Sequence, residues 1–111
     1  MSNIRNRVQL IGHLGDDPEV TKFDSGKVKA SFRMATTEKF KNGSGELVED
    51  TQWHQVVIWG GMAETVEKYF KKGKEVAILG RLTHGSYEDK DGNKKYYTEI
   101  NANNFEMLGK K

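Results

Sequence analysis

Apolar and polar side chains alternate along most of this chain with the two-residue period of a β-strand. Val8, Leu10, Gly12 and Leu14 fall on one face of the first segment, and Arg5, Arg7, Gln9 and His13 on the other. GDDPEV, with its Asp and Pro, interrupts the pattern. A turn at Asp24-Ser25-Gly26 leads into VKASFRMA, where Val28, Ala30, Phe32 and Met34 oppose Lys29, Ser31 and Arg33. KNGSGELVED is polar and Gly-containing, and is read as a loop belonging to a mobile hairpin arm over about residues 39–51. TQWHQVVIWG is the third strand. MAETVEKYFKK alone has helical spacing, with Met62, Val66, Tyr69 and Phe70 on one stripe and Gly73 as the C-cap. The i,i+4 pairs Glu64–Lys68 and Glu67–Lys71 run in the favourable order. EVAILGRL, a fourth strand continuing toward SYEDK, reaches the hairpin signal Asp91-Gly92, and KKYYTEINAN returns as the fifth.

The order β-β-β-α-β-β predicts an all-β domain, a barrel with one helix. Five strands with the helix between the third and fourth point to the five-stranded Greek-key OB-fold. The 111 residues suit one such domain, 1–111. Folds of this type commonly bind oligonucleotides or oligosaccharides. A formal net charge of +2 does not announce a nucleic-acid partner, so any basic footprint lies in how Lys and Arg are distributed.

The third strand carries the most telling chemistry. Trp53, Gln55, Val57 and Trp59 share one face, and His54, Val56 and Ile58 the other. The aliphatic face suits a barrel interior. The two indoles stand six residues apart, roughly 20 Å along an extended strand, room for more than one stacked base. Arg7, Lys29 and Arg33 are placed to flank them. Aromatic rings among cations are what a single-strand binder needs, since stacking tolerates any base and cations follow the phosphates.

Other classes fare worse. Without cysteine there is no disulfide, thiolate nucleophile or cysteine zinc site. Neither GxxxxGK[ST], HExxH nor GxSxG is present, so no enzyme and no cofactor is expected. The histidines at 13, 54 and 84 lack ligand spacing, and Asp16, Asp17 and Glu19 are read as a turn rather than a metal site. No apolar run reaches membrane-spanning length and no secretory leader is evident, so a cytoplasmic setting is expected.

VQLIGHLGDDPEV, ATTEKF, TQWHQVVIWGGMAETVEKYFKKGKEVAILGRL and SYEDKDGNKKYYTEI, in this order and spacing, resemble the bacterial single-stranded DNA-binding proteins from Ile4 to Leu108. The resemblance implies an OB-fold homotetramer that coats single strands during replication, recombination and repair. It implies stacking on Phe40 in the arm, Trp53, Trp59 and Tyr87, and cations at Arg7, Lys72 and Lys95. Family members often carry Trp at the positions of Phe40 and Tyr87 and Phe at that of Trp59; each position here keeps an aromatic ring. Gln55 and Gly61 stand where one branch has a basic residue, and HGS at 84–86 replaces a stretch that is often basic. A smaller salt dependence is therefore expected, partly offset by Arg33, Lys39 and Lys41. His54 matches a histidine of subunit contacts.

The chain stops at MLGKK, without the linker and acidic tip through which relatives recruit other proteins, so such recruitment is not expected from this sequence. Two rival readings remain: an OB-fold serving primosome assembly or other protein contacts, and one whose ligand is RNA. A protein-contact relative is expected to have lost stacking rings. Tyr96 and Tyr97 point to opposite faces of the fifth strand, and one of them is expected in a core or interface.

Overall fold

The computed structural model describes residues 4–109. Seven elements follow in order: β1 (Val8–Leu14), β2 (Glu19–Lys22), β3 (Val28–Lys41), β4 (Leu47–Trp59), α1 (Gly61–Tyr69), β5 (Glu75–Glu88) and β6 (Lys94–Met107). The strands run in the order β1-β5-β6-β4-β3-β2, and a β1–β3 pairing closes the barrel. All pairings are antiparallel except β4–β6, where Val56, Val57 and Ile58 lie parallel to Ile100, Asn101 and Ala102. The result is the expected closed five-stranded barrel. The helix sits where the sequence put it, between the third and fourth barrel strands.

Alternation decides the inside. Leu14, Ala30, Phe32, Met34, Val56, Ile58, Val76, Ile78, Ile100 and Ala102 fill the barrel. The helix closes one side with Ala63 and Val66, and Phe70 follows it into the core. The Phe70 ring meets Phe32 and Phe105 edge-on, at centroid distances of 5.5 and 5.1 Å, in the geometry aromatic quadrupoles favour. Strands cross so closely at Gly12 that a Cβ there would stand 2.1 Å from the Ala35 carbonyl oxygen. Opposite the Leu79–Gly80 step of β5, β6 carries one extra residue, Asn103, a β-bulge that bends β6 and shifts the register.

The structure corrects the sequence reading in several places. GDDPEV breaks the first strand after Leu14, as read, but the sequence reading did not foresee the short strand that follows. After a bend the chain resumes as β2, and both β1 and β2 pair with β3. KNGSGELVED does lie at the end of a hairpin, but its loop is confined to residues 42–46: Lys41 ends β3, Leu47–Asp50 belong to β4, and the β3–β4 ladder runs unbroken to Lys41↔Leu47. An exposed ribbon needs no apolar face, so its strands leave no alternation in the sequence. Tyr69 is exposed rather than on the buried stripe. Val57 is 1% exposed although it faces outward and is no part of the barrel's interior cluster. Tyr96 and Tyr97 are both exposed, so neither is core within this chain. Lys110 and Lys111 of the closing MLGKK lie outside the described residues.

Three hairpin turns share one backbone design. Asn42 N donates to Glu46 O and Gly45 N to Asn42 O; Asp89 N donates to Asn93 O and Gly92 N to Asp89 O; Phe23 N donates to Lys27 O and Gly26 N to Phe23 O. The fourth residue of each is a glycine with φ between 81° and 89°, in the left-handed region. In two turns the first residue also braces the loop with its side chain. Asn42 Oδ1 accepts from Ser44 and Glu46 N–H, and Asp89 Oδ1 from Asp91 and Asn93 N–H. Asp91-Gly92 is thus part of a five-residue loop rather than a two-residue hairpin turn.

Candidate nucleic-acid interface

The outer face of the β3–β4 ribbon is set by direct cross-strand pairs: Lys29↔Trp59, Ser31↔Val57, Arg33↔Gln55 and Ala35↔Trp53. Because neighbouring residues alternate sides, Trp53 and Trp59 come out on one surface with Lys29 and Arg33. Trp53 is 52% exposed and Trp59 40%. The Arg33 guanidinium lies 4.7 Å from the Trp53 ring centroid, and the Lys29 ammonium 5.7 Å from that of Trp59. Both are cation–π distances. Small neighbours make room for Trp53. Gly15 N–H donates to Arg33 O, fixing the Gly15 backbone beside β3, and a Cβ on Gly15 would fall 2.4 Å from Cζ3 of the indole.

The surface continues across the parallel seam. Val57 pairs with Asn101, and Asn101 with Arg81, which is exposed. Arg7 is exposed immediately before β1, whose Val8 pairs with Gly80, so it lies at the Arg81 end of the sheet. Further along the β5–β6 hairpin Tyr87 pairs with Lys95, and the Tyr87 and Tyr97 rings stand 6.3 Å apart. The Tyr97 ring lies across Gly85, where a Cβ would collide with it.

Not every candidate joins this surface. Phe40 pairs with Val48 and has the parity of Met34 and His54, so it lies on the opposite face of the β3–β4 ribbon from both tryptophans. Lys39 shares the tryptophan face but stands across from Glu49. Lys95 Nζ is 4.0 Å from Asp89 Oδ2. The Lys72 backbone N–H donates to Asp17 Oδ1 at 2.8 Å, so Lys72 sits beside the acidic turn. That turn also borders Gln55: Asp16, Asp17, Glu19, Arg33 and Gln55 line a depression of about 240 Å³. His54 is half-buried at the base of the arm, its Nε2 2.9 Å from Thr36 Oγ1.

Two residues of this surface escaped the sequence reading. Arg81 lies just past the point where the extra β6 residue Asn103 shifts the β5–β6 register, so its partner Asn101 does not follow from the residues paired before it. Phe23 stacks on Trp59, with centroids 5.8 Å apart and planes at 21°. It precedes a turn, and no periodic pattern marks it.

The arrangement offers flat π-faces spaced along a sheet with cations beside them. Among the described residues, no helix is long and apolar enough to cross a membrane. The chain matches the model of the single-strand binding protein family over residues 5–108. It is 50% identical to single-stranded DNA-binding protein 1 of Chlorobaculum tepidum, an alignment covering 96% of this chain and 66% of that protein. With single-stranded DNA-binding protein 1 of Xylella fastidiosa the identity is 43%, over 96% of this chain and 79% of the relative. The fold superimposes on the Plasmodium falciparum SSB solved in complex with ssDNA at a TM-score of 0.85, with 27% identity, over 98% of this chain and 99% of the other. This chain therefore belongs to the single-strand binding protein family.

Proposed function

We propose that this chain binds single-stranded DNA largely independently of sequence, by stacking bases on Trp53, Trp59, Tyr87 and Phe40 and by drawing phosphates to Arg33, Lys29, Arg7, Lys39, Lys72 and Lys95. The observation that carries the proposal is the pair of half-exposed indoles on one face, each with a cation beside its ring. Stacking supplies about 1–3 kcal/mol per base whatever the base, and the cations add a salt-sensitive attraction. Gln55 stands between the two indoles and offers an amide to a base edge or a phosphate. Binding sequesters the bases and favours the unpaired strand by mass action, which protects it during replication, recombination and repair. No bond is made or broken.

Phe40 lies on the reverse of the ribbon, so a strand that uses all four rings must pass round the β3–β4 arm. The arm, exposed on both faces, becomes ordered against it. Copies of the chain assemble into a homotetramer, with His54 at a subunit contact. The setting is the cytoplasm, at the nucleoid.

The test is intrinsic tryptophan fluorescence during titration with oligo-dT, the matched RNA, and duplex DNA. Strong quenching by oligo-dT with little by duplex is expected. Equal quenching by duplex, or none by any of the three, overturns the proposal, and preferential quenching by RNA moves the ligand.

A further inference from the structure

Phe23 opens the β2–β3 turn at the position that Asn42 and Asp89 hold in the two other turns of the same design. There the Asx side chain accepts two backbone N–H groups and braces its loop. A phenyl ring cannot, so the turn at Phe23 forgoes both bonds. What the chain has in exchange is an aromatic ring 42% exposed to solvent, stacked on the 40% exposed Trp59. Neither ring buries the other, and the Lys29 ammonium stands 5.7 Å from the same indole. Beside the pair, Trp59, Gly26, Lys27, Gly60, Gly61 and Glu64 border an open hollow of about 630 Å³. Its three glycines leave the backbone bare; a Cβ at any of them would meet nothing within 4 Å.

We propose that Phe23 and Trp59 form one composite stacking platform, a base subsite at the end of the tryptophan face remote from Trp53, with the hollow receiving the adjoining nucleotide. The proposal rests on the single-strand-binding reading and deepens it. A base laid on the free side of the pair extends a stack already two rings deep, and Lys29 is within reach of its phosphate. Such a subsite lengthens the run of bases held by each chain beyond what the strand-borne rings alone give.

Oligo-dT affinity is measured at several salt concentrations for the wild type, Phe23→Ala, Phe23→Leu, Phe23→Tyr, Trp59→Ala and the Phe23→Ala/Trp59→Ala double variant, with thermal melts of each. Phe23→Ala and Phe23→Leu are expected to lose about 5- to 150-fold in affinity, the range for one lost base stack, at an unchanged melting temperature. The slope against salt stays the same because no phosphate contact is removed. Phe23→Tyr keeps wild-type affinity, and the double variant loses less than the product of the single losses. Wild-type affinity in Phe23→Leu shows that bulk alone matters and overturns the platform, as does unchanged affinity in Phe23→Ala or a fully multiplicative double variant. If the wild type itself fails to bind oligo-dT, the parent reading falls and this subsite with it; if it binds and the Phe23 variants match it, only the subsite falls.

Discussion

Arg33 and Trp53 hold one another in place: the guanidinium lies 4.7 Å from the indole centroid, although the two residues are diagonal neighbours rather than direct partners in the ladder. A strand arriving at Trp53 therefore meets a cation already positioned over an aromatic ring. Base and phosphate can be met by one preformed unit.

Removing that cation separates the two contributions. Arg33→Ala is expected to weaken oligo-dT binding and to lower the slope of log K against log salt by about one. Trp53→Ala is expected to lower affinity by about 1–3 kcal/mol with the slope unchanged. Fluorescence or anisotropy titrations across a salt series read both.

Gly15 gives a way to move Trp53 without touching it. A Cβ at 2.4 Å from Cζ3 forces the ring away, and the neighbouring atoms belong to a rigid indole. Gly15→Ala is expected to weaken oligo-dT binding severalfold while the melting temperature falls by only a few degrees. Unaltered affinity would show that the indole's resting position is unimportant.

Phe40 sits on the reverse of the arm, which makes its contribution depend on ligand length. Phe40→Ala is expected to leave the affinity for the shortest oligonucleotides unchanged, at the low end of the roughly 4–16 nucleotides an OB-fold spans. The loss should appear only with strands long enough to round the ribbon. Isothermal titration with an oligo-dT length series checks this.

Core and surface aromatics should part company in stability. Phe70 is 2% exposed and packed edge-on against Phe32 and Phe105. Phe70→Ala is expected to cost about 3–5 kcal/mol in urea unfolding, whereas Trp53→Ala, half in solvent already, should change stability by less than about 1 kcal/mol.

The barrel was legible in the sequence because burial on one face leaves a period of two. Val28–Met34 and His54–Ile58 show it plainly, and the helix showed itself through Val66 and Phe70. The arm was legible as a hairpin from its polar, Gly-containing stretch, but its strands were not, for the same reason reversed. Leu47–Asp50 lie in an exposed ribbon whose strands bury neither face, so no pattern records them. The tryptophan face could be read from alternation within one strand, and Lys29 and Arg33 from alternation within the next. Phe40 could not be assigned to a side, because its parity follows from a register that only the unbroken ladder fixes. Phe23 and Trp59 are brought together by the return of β3 between them, a contact that neither residue's local sequence announces.

The parallel seam between β4 and β6 also governs how the chain can fold. Its partners, Val56 and Ile100, are far apart in sequence, and β6 lies between β4 and β5. A growing chain can form the β1–β3, β2–β3 and β3–β4 pairings early, yet the barrel stays open until Ile100–Ala102 have emerged. Closure therefore comes late and depends on a long loop being brought together, which is entropically slow. The β3–β4 ribbon that carries both indoles needs no residue beyond Trp59, whereas the barrel behind it needs Ile100–Ala102.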